Sequence, residues 1–154
     1  MPFGGLSLKR ILVVLLAALT VTAVLPALAG AGSAPAKLQL RKTSVGTILV
    51  NGRGFTLYAF ATDHRNYDSC IKKPGCLAAW PAVTTHGRPI AGPGVRSSLV
   101  GTIRLGNGSQ QVTYAGRPLY TYIADRHPGQ TNFVNSFSFG GRWPAVNAAG
   151  HEVK

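Results

Sequence analysis

Acidic side chains are scarce in this sequence. Its 154 residues include 16 Lys and Arg but only 4 Asp and Glu, so the formal net charge at pH 7 is +12. A glycosidase needs a pair of carboxylates in a supporting motif, and no such motif surrounds the available residues Asp63, Asp68, Asp125 and Glu152. The excess of positive charge favours attraction to polyanions.

A nucleic-acid recognition motif is also lacking. The nine Arg residues from Arg41 to Arg142 are spread almost evenly, and in that region only Arg41-Lys42 and Lys72-Lys73 are adjacent. Neither a basic stripe nor a nucleic-acid fold motif is present. We therefore expect no specific nucleic-acid partner, but a cationic surface that meets anionic cell-wall polymers or a membrane surface.

No catalytic signature is present. No serine stands in a nucleophile-elbow context, and a His and an Asp elsewhere in the chain do not make a triad. Hydrophobic residues make up 45% and charged residues 13%, so the chain can bury a core and is not of the disordered class. We expect one globular domain, no enzyme activity and no cofactor.

The N-terminal segment 1–29 has the pattern of a secretory signal peptide. Lys9 and Arg10 precede an apolar run from Ile11 to Leu25, and Pro26 and Ala27-Leu28-Ala29 follow. This pattern predicts cleavage after Ala29 and export from the cytoplasm. The mature chain would keep a net charge of about +10, because only two basic residues are removed.

Two alternatives stay open at the N-terminus. Ala34-Pro35-Ala36 is a weaker cleavage pattern, and an uncleaved segment from Ile11 to Ala29 could just cross a bilayer. Lipid attachment needs a cysteine at the cleavage point, whereas the first cysteine is Cys70. Residues 30–44 are predicted to be a linker that leads into a folded domain over 45–154.

Both cysteines lie in one short segment, Cys70-Ile-Lys-Lys-Pro-Gly-Cys76. In an oxidising compartment such a pair is expected to form a disulfide, and Pro74-Gly75 is a turn signal that brings its ends together. A redox or metal role is the alternative. The spacing is not Cys-x-x-Cys, and a zinc site would have to recruit His64 and His86.

The sequence contains an internal repeat. The pattern of the segment from Gly54 to Asp63 recurs from Gly116 to Asp125, and Trp80-Pro81-Ala82-Val83 recurs as Trp143-Pro-Ala-Val146. The recurring motif residues are Leu57, Tyr58, Phe60, Asp63, Trp80 and Pro81 in the first copy, and Leu119, Tyr120, Tyr122, Asp125, Trp143 and Pro144 in the second.

A third block gives a different spacing. Val45-Gly-Thr-Ile48 recurs as Val100-Gly-Thr-Ile103, at a shorter separation than the other two blocks. This spacing predicts seven extra residues in the second copy, near the hairpin signal Gly106-Asn-Gly-Ser109. The implied organisation is a first repeat over 45–83, a connection over 84–99 and a second repeat over 100–147.

These stretches resemble a family of bacterial secreted repeat proteins, often described as lipoproteins, with a Tyr-x-aromatic-x-x-Asp motif followed by paired cysteines and Trp-Pro. The resemblance covers nearly all of the mature chain and implies a cell-envelope or secreted location. It carries no established activity, although it implies an envelope redox or haem-associated protein as an alternative. The chain departs from the family pattern by having no lipid-attachment cysteine, a wider cysteine spacing and Trp-Pro-Ala in place of Trp-Pro-Pro.

The local patterns are those of β structure. Thr47 to Val50, the Asn51-Gly52 turn signal and Phe55 to Phe60 predict two strands around a turn, and the second copy predicts a meander. Only Cys76 to Trp80 has a helical pattern. The expected fold is mainly β, a single domain of two pseudo-symmetric antiparallel β repeats with one short helix near Cys76–Trp80.

Alternation assigns faces to the motif residues. Tyr58 and Phe60 should lie on one face of a strand, with Leu57 and Ala59 on the other, and both faces should be partly buried. The segment from Phe133 to Phe139 also alternates and should present one aromatic face to the core.

Asp63 and Asp125 account for half of the acidic residues and stand at equivalent strand ends. The favoured interpretation is that each carboxylate accepts backbone N–H groups of the following turn. The alternative is a pseudo-symmetric cation or proton-transfer site that also contains Tyr58 and Tyr120, with candidate metal or haem ligands Asp63, His64, Asp125 and His127.

The sequence thus favours a non-enzymatic, exported binding or scaffolding module with a cationic surface. The alternative is an envelope redox protein that binds haem or docks to an electron carrier. A hydrolase has the least support.

Overall fold

The computed structural model describes residues 34–153, so the signal-peptide and membrane-anchor predictions lie outside the described residues. Within 34–153 the chain is mainly β, and no helix there is long and apolar enough to cross a membrane. The elements in chain order are β1 (Lys37–Thr43), β2 (Gly46–Asn51), a 3₁₀ turn (Cys70–Lys72), α1 (Cys76–Ala79), β3 (Thr84–Thr85), β4 (Ile90–Ala91), a second 3₁₀ turn (Ser97–Leu99), β5 (Val100–Arg104), β6 (Gln110–Tyr114), β7 (Arg117–Pro118), β8 (Ser136–Ser138) and β9 (Gly141–Trp143).

Two antiparallel hairpins, β1–β2 and β5–β6, are the longest regular elements. One sheet has the order β2-β1-β4, with β4 parallel to β1. A second has the order β3-β6-β5, with β7 also paired to β6, and β8 and β9 form a separate two-stranded sheet. The expectation of a mainly β fold with one short helix near Cys76–Trp80 is confirmed.

Each repeat forms equivalent backbone hydrogen bonds with the other repeat. The Leu49 N–H in β2 donates to the Val146 carbonyl at 2.8 Å, and the Val112 N–H in β6 donates to the Val83 carbonyl at 2.8 Å. Each hairpin is therefore paired with the Trp-Pro-Ala-Val segment of the other repeat. The two copies form one interlocked body, because neither completes its strand pairing from its own residues.

This pairing corrects the alignment of the two repeats that the similarity of Val45–Ile48 to Val100–Ile103 suggested. Leu49 and Val112 occupy equivalent positions, so β2 corresponds to β6 and β1 corresponds to β5. The segment Val45–Ile48 covers the turn before β2 and the start of that strand, whereas Val100–Ile103 lies in β5. The prediction of a seven-residue insertion in the second copy is wrong. It assumed that Val45–Ile48 and Val100–Ile103 are equivalent, whereas the structure places these two similar sequences at different positions of their hairpins.

The segment predicted to be a linker also contains structure. Strand β1 spans Lys37–Thr43 and pairs with β2 from Leu38, opposite Asn51, to Thr43, opposite Gly46. The first repeat thus begins within residues 30–44. A strand this polar has a weak hydrophobic pattern, and only Leu38 is fully buried in it.

The alternation of faces in the Tyr motif is confirmed, but the predicted strand from Phe55 to Phe60 is wrong, because this segment forms only isolated bridges at Thr56 and Tyr58. Leu57 and Ala59 lie in one buried cluster together with Leu119, whereas Tyr58 and Phe60 lie in a second, aromatic cluster together with residues that include Tyr120, Trp80 and Trp143. Both faces are buried, because hairpin residues cover one face and the Trp-Pro segments cover the other.

The shared glycine of the motif has a conformational cause. Gly54 and Gly116 have φ values of +85° and +77°, a region that L side chains rarely adopt. A Cβ atom on Gly116 would also lie 2.8 Å from the Arg65 side chain. Glycine is therefore strongly favoured at both turns that lead into the Tyr motif.

The prediction of one aromatic face between Phe133 and Phe139 is wrong at its centre. Phe133 and Phe139 pack against the aromatic cluster, but Phe137 is 72% exposed. Asn135 and Phe139 have positive φ values, and β8 contains only Ser136–Ser138. The left-handed backbone conformation at these two residues interrupts the extended chain, so the alternation of side-chain faces does not persist through this segment.

We predict that Leu57→Ala and Leu119→Ala each lower the free energy of unfolding by about 2–5 kcal/mol, because both side chains are fully buried and leave a cavity. Urea denaturation measures the change. Ile123→Ala is the control, since Ile123 is 62% exposed and should change stability by less than about 0.5 kcal/mol. Equal losses in all three variants would contradict this assignment of the core.

Candidate functional site

The motif tyrosines meet where the two repeats join. Tyr58 and Tyr120 form an antiparallel bridge, in which each backbone N–H donates to the other's carbonyl at 2.9 Å. Both side chains are fully buried. The two copies of the recurring motif are therefore direct neighbours at the centre of the fold.

The phenol groups cross between the repeats. Tyr58 Oη donates to Asp125 Oδ2 at 3.0 Å, and Tyr120 Oη donates to Asp63 Oδ2 at 2.8 Å. Each tyrosine thus binds the aspartate of the other copy. We call these two hydrogen bonds the crossed pairs.

The motif tryptophans stack face to face beside the crossed pairs. The ring centroids of Trp80 and Trp143 are 4.0 Å apart with an interplanar angle of 2°. Tyr58 meets Trp80 edge-on at 5.1 Å, and Tyr120 meets Trp143 edge-on at 5.2 Å. Stacked and edge-to-face contacts are the arrangements that aromatic rings prefer.

The other motif aromatics extend this stack on both sides. Phe60 stacks on Trp143 and Tyr122 stacks on Trp80, each with a centroid distance of 4.1 Å. The order of the rings is Phe60, Trp143, Trp80 and Tyr122, which we call the aromatic stack. Because Phe60 and Tyr122 are equivalent positions, each repeat again places its side chain on the tryptophan of the other.

The disulfide between Cys70 and Cys76 is confirmed, with a Cα–Cα distance of 5.4 Å. Both cysteines are buried in the same aromatic cluster as Trp80. By the chain-entropy model, closing so short a loop contributes about 2–3 kcal/mol. The bond fixes α1 and hence the position from which the first Trp-Pro segment starts.

The two carboxylates differ in their remaining partners. Asp63 Oδ1 accepts from both the N–H and the hydroxyl of Ser69 at 2.8 Å, as expected for a carboxylate that binds the following turn. Asp125 Oδ1 is buried and has no hydrogen-bond donor among the described residues. The turn interpretation therefore applies to Asp63 and not to Asp125, whose described partner is Tyr58.

Burial shifts the titration of both pairs. It raises the pKa of Asp63 to about 6, against the lowering effect of the hydrogen bonds from Ser69 and Tyr120. Burial also raises the pKa of Asp125, although the hydrogen bond from Tyr58 opposes this shift. Burial and the adjacent carboxylates raise the pKa of both phenols, so each tyrosine remains protonated and each aspartate is the acceptor.

The histidines proposed as ligands lie outside this centre. His64 and His127 are both exposed, and the His64 ring lies 6.1 Å from that of Tyr67. Among residues 34–153, no group of three or more His, Cys, Asp or Glu side chains is arranged to hold a metal ion. The structure thus joins the proposed tyrosines and aspartates. His64 lines a surface pocket beside Asp63, whereas His127 is not among the residues that line it.

Two residues of the site were missed by sequence reasoning. Asp68 is buried behind Asp63, and its Oδ1 accepts the Ile71 N–H at 3.1 Å. Ser138 receives both indole N–H groups, on its hydroxyl from Trp80 at 3.2 Å and on its carbonyl from Trp143 at 3.3 Å. Neither residue belongs to the repeated motif, so the repeat gave no signal for either.

The repeated segments agree with a known family model. The model described as a secreted repeat of unknown function matches residues 39–84 and 101–147. The chain belongs to this secreted repeat family. Its description places the protein outside the cytoplasm, and the matched segments start in β1 and β5, in agreement with the strand correspondence. No curated protein and no solved structure gives a significant match to the chain.

We predict that Tyr58→Phe destabilises this family member by about 1–3 kcal/mol, because it leaves the buried Asp125 carboxyl without its described donor. Urea denaturation measures the change, and Tyr67→Phe is a control at a partly exposed tyrosine. An effect no larger than that of Tyr67→Phe would show that the crossed pair contributes nothing to stability.

The raised pKa of Asp63 predicts a pH dependence of stability. Between the unfolded pKa near 4 and the folded pKa of about 6, the folded state binds more protons at this group. Its stabilising contribution is therefore complete below pH 4 and is lost as the pH rises to 6, by up to about 1.4 kcal/mol per pH unit. Asp125 acts in the same direction.

Denaturation of the wild type and of Asp63→Asn across pH 4–7 isolates the contribution of Asp63. The variant should show a flatter profile, because it has no proton to release at this position. Parallel profiles for the two proteins would contradict the assignment.

Proposed function

We propose that this extracytoplasmic protein is a non-enzymatic binding or scaffolding module whose cationic surface holds it on anionic polymers of the cell envelope. The observation that carries the proposal is the segregation of charge. The proposed binding role needs neither a catalytic group nor a cofactor.

All four carboxylates of the acidic side chains have partners within the protein. Asp63, Asp68 and Asp125 accept the hydrogen bonds described above. Glu152 forms ion pairs with Arg117 at 2.9 Å and with Arg142 at 3.4 Å. By contrast, nearly all of the described lysines and arginines are exposed. The field outside the protein is therefore positive with little local cancellation.

One local concentration of positive charge lies beside the disulfide loop. Lys72 and Lys73 sit in that loop, and Ile71 of the same loop lines a groove together with Arg104 at the end of β5. Asp68 also lines this groove, but it is buried and its Oδ1 accepts the Ile71 N–H. We call Lys72, Lys73 and Arg104 the loop patch.

The interlocked centre supports this role because it holds the cationic side chains on a rigid body. A binding surface that is already ordered loses less conformational entropy when a polymer docks. No specific observation favours the haem-associated alternative, since His64 and His127 are both exposed and the pocket that His64 lines with Phe60 and Asp63 contains no second histidine. An absorbance spectrum of protein purified from its own host tests for haem.

We predict that the mature protein is retained on isolated cell envelopes at about 0.01 M salt and released by about 0.15 M salt, because the screening length falls from about 30 to about 8 Å. The double variant Lys72→Glu/Lys73→Glu should elute at lower salt than wild type. Arg88→Glu/Arg96→Glu is the matched control, because it makes the same charge change at exposed residues outside the loop patch.

Retention that does not depend on salt, or no retention at low salt, would contradict the electrostatic proposal. An equal loss in the two double variants would instead assign binding to the overall charge and not to the loop patch.

A further inference from the structure

The aromatic centre combines two features that envelope binding does not use, a continuous set of oxidisable rings and phenols bonded to carboxylates. We propose that it is an oxidisable relay, in which a one-electron oxidant at the protein surface draws an electron through the tryptophans and leaves a neutral tyrosyl radical at a crossed pair. This inference is independent of the proposed function, because it rests on the core and not on the surface charge.

Ring contacts connect the surface to the crossed pairs. Tyr122 is half-buried and stacks on Trp80, which stacks on Trp143 at 4.0 Å. Tyr58 and Tyr120 contact these two indoles in edge-to-face arrangements, with ring-centroid distances of 5.1 and 5.2 Å. Indole and phenol are the protein side chains that lose an electron most readily apart from thiols, and both cysteines are in the disulfide. An electron therefore has a path of van der Waals contacts from either buried tyrosine toward solvent.

The chemical step balances within the pair and the oxidant. The oxidant accepts one electron from the stack and leaves an indole radical cation on Trp143. Tyr120 then reduces that indole by one electron as its O–H bond breaks. The proton is transferred to Asp63 Oδ2, which lies 2.8 Å from Tyr120 Oη. The products are a neutral tyrosyl radical, a neutral carboxylic acid and a reduced oxidant. Tyr58, Trp80 and Asp125 provide the equivalent step on the other side.

Burial favours this transfer. A proton that arrives on the buried Asp125, or on the half-buried Asp63, removes a negative charge from a partly or fully desolvated site, so no new buried charge is created in the pair. The acceptor also lies within the hydrogen-bond distance that direct proton transfer requires. Oxidation without such an acceptor would leave a phenol radical cation in the core, which is costly to bury.

The protein contains its own matched control at Tyr114. This tyrosine is also fully buried, but its hydroxyl donates to the Ala148 carbonyl at 2.8 Å and accepts the Arg96 N–H at 3.1 Å. A backbone carbonyl does not take up the proton at neutral pH. Tyr114 also belongs to the aliphatic cluster and not to the aromatic stack. The proposal therefore places the radical on Tyr58 and Tyr120 and not on Tyr114.

The test is flash oxidation of the folded protein at pH 8 by a photogenerated ruthenium(III) polypyridyl complex, a one-electron oxidant too large to enter the core. Freeze-quench EPR then identifies the radicals. All proteins compared carry Tyr67→Phe and Tyr122→Phe, because Tyr67 is 37% exposed and Tyr122 is half-buried, so the oxidant could form a tyrosyl radical directly at either. In this background the reference protein and Tyr114→Phe should give the same tyrosyl signal, whereas Tyr58→Phe/Tyr120→Phe should lose it and retain only tryptophan-derived radicals. Circular dichroism establishes that each variant is folded.

A tyrosyl signal that survives in the double variant, or that disappears in Tyr114→Phe, overturns the proposal. If the double variant does not fold, ENDOR of the radical in the Tyr67→Phe/Tyr122→Phe reference protein, in H₂O and D₂O, decides. An exchangeable proton held at hydrogen-bond distance from the radical oxygen supports transfer to the carboxylate. A radical without that coupling, or a reference protein that yields no tyrosyl radical, overturns it.

Discussion

The exchange of partners between the two repeats is the constraint on which the rest of the structure depends. Tyr58 binds the aspartate of the second copy, Tyr120 binds that of the first, and each hairpin pairs with the other copy's Trp-Pro segment. A single repeat would leave a buried phenol, a carboxylate and a strand edge without partners. Since unsatisfied buried polar groups are costly, the two copies are stable only together. The duplication is thus a structural requirement of the fold.

The same exchange determines where the charges lie. Because Asp63 and Asp125 are used at the centre and Glu152 is held by two arginines, few negative charges remain to offset the exposed cations. Of the 4 acidic residues, Asp63, Asp68 and Asp125 thus bind groups within the fold, and Glu152 pairs with two arginines. The proposed cationic surface and the crossed pairs both follow from the same distribution of carboxylates.

Much of this arrangement could be predicted from local sequence, but the choice of partners could not. Alternation correctly separated Leu57 from Tyr58, because a period of two depends only on strand geometry. The cysteine spacing predicted the disulfide for a similarly local reason. The crossing was missed because a repeated motif reveals equivalent positions without saying whether each copy binds itself or its neighbour. Phe137 was misplaced because positive φ values at Asn135 and Phe139 interrupt the pattern, and phenylalanine gives no signal for that conformation.

Native-state amide hydrogen exchange tests the interlocked arrangement most directly. The Leu57 N–H donates to the Leu49 carbonyl and the Leu119 N–H donates to the Val112 carbonyl, both at 3.0 Å, so the two amides are equivalent reporters of the two repeats. If the copies depend on each other, both amides should exchange with the same opening free energy, equal to that of global unfolding. A clearly lower opening free energy for one of them would mean that one repeat unfolds while the other persists, which contradicts the account.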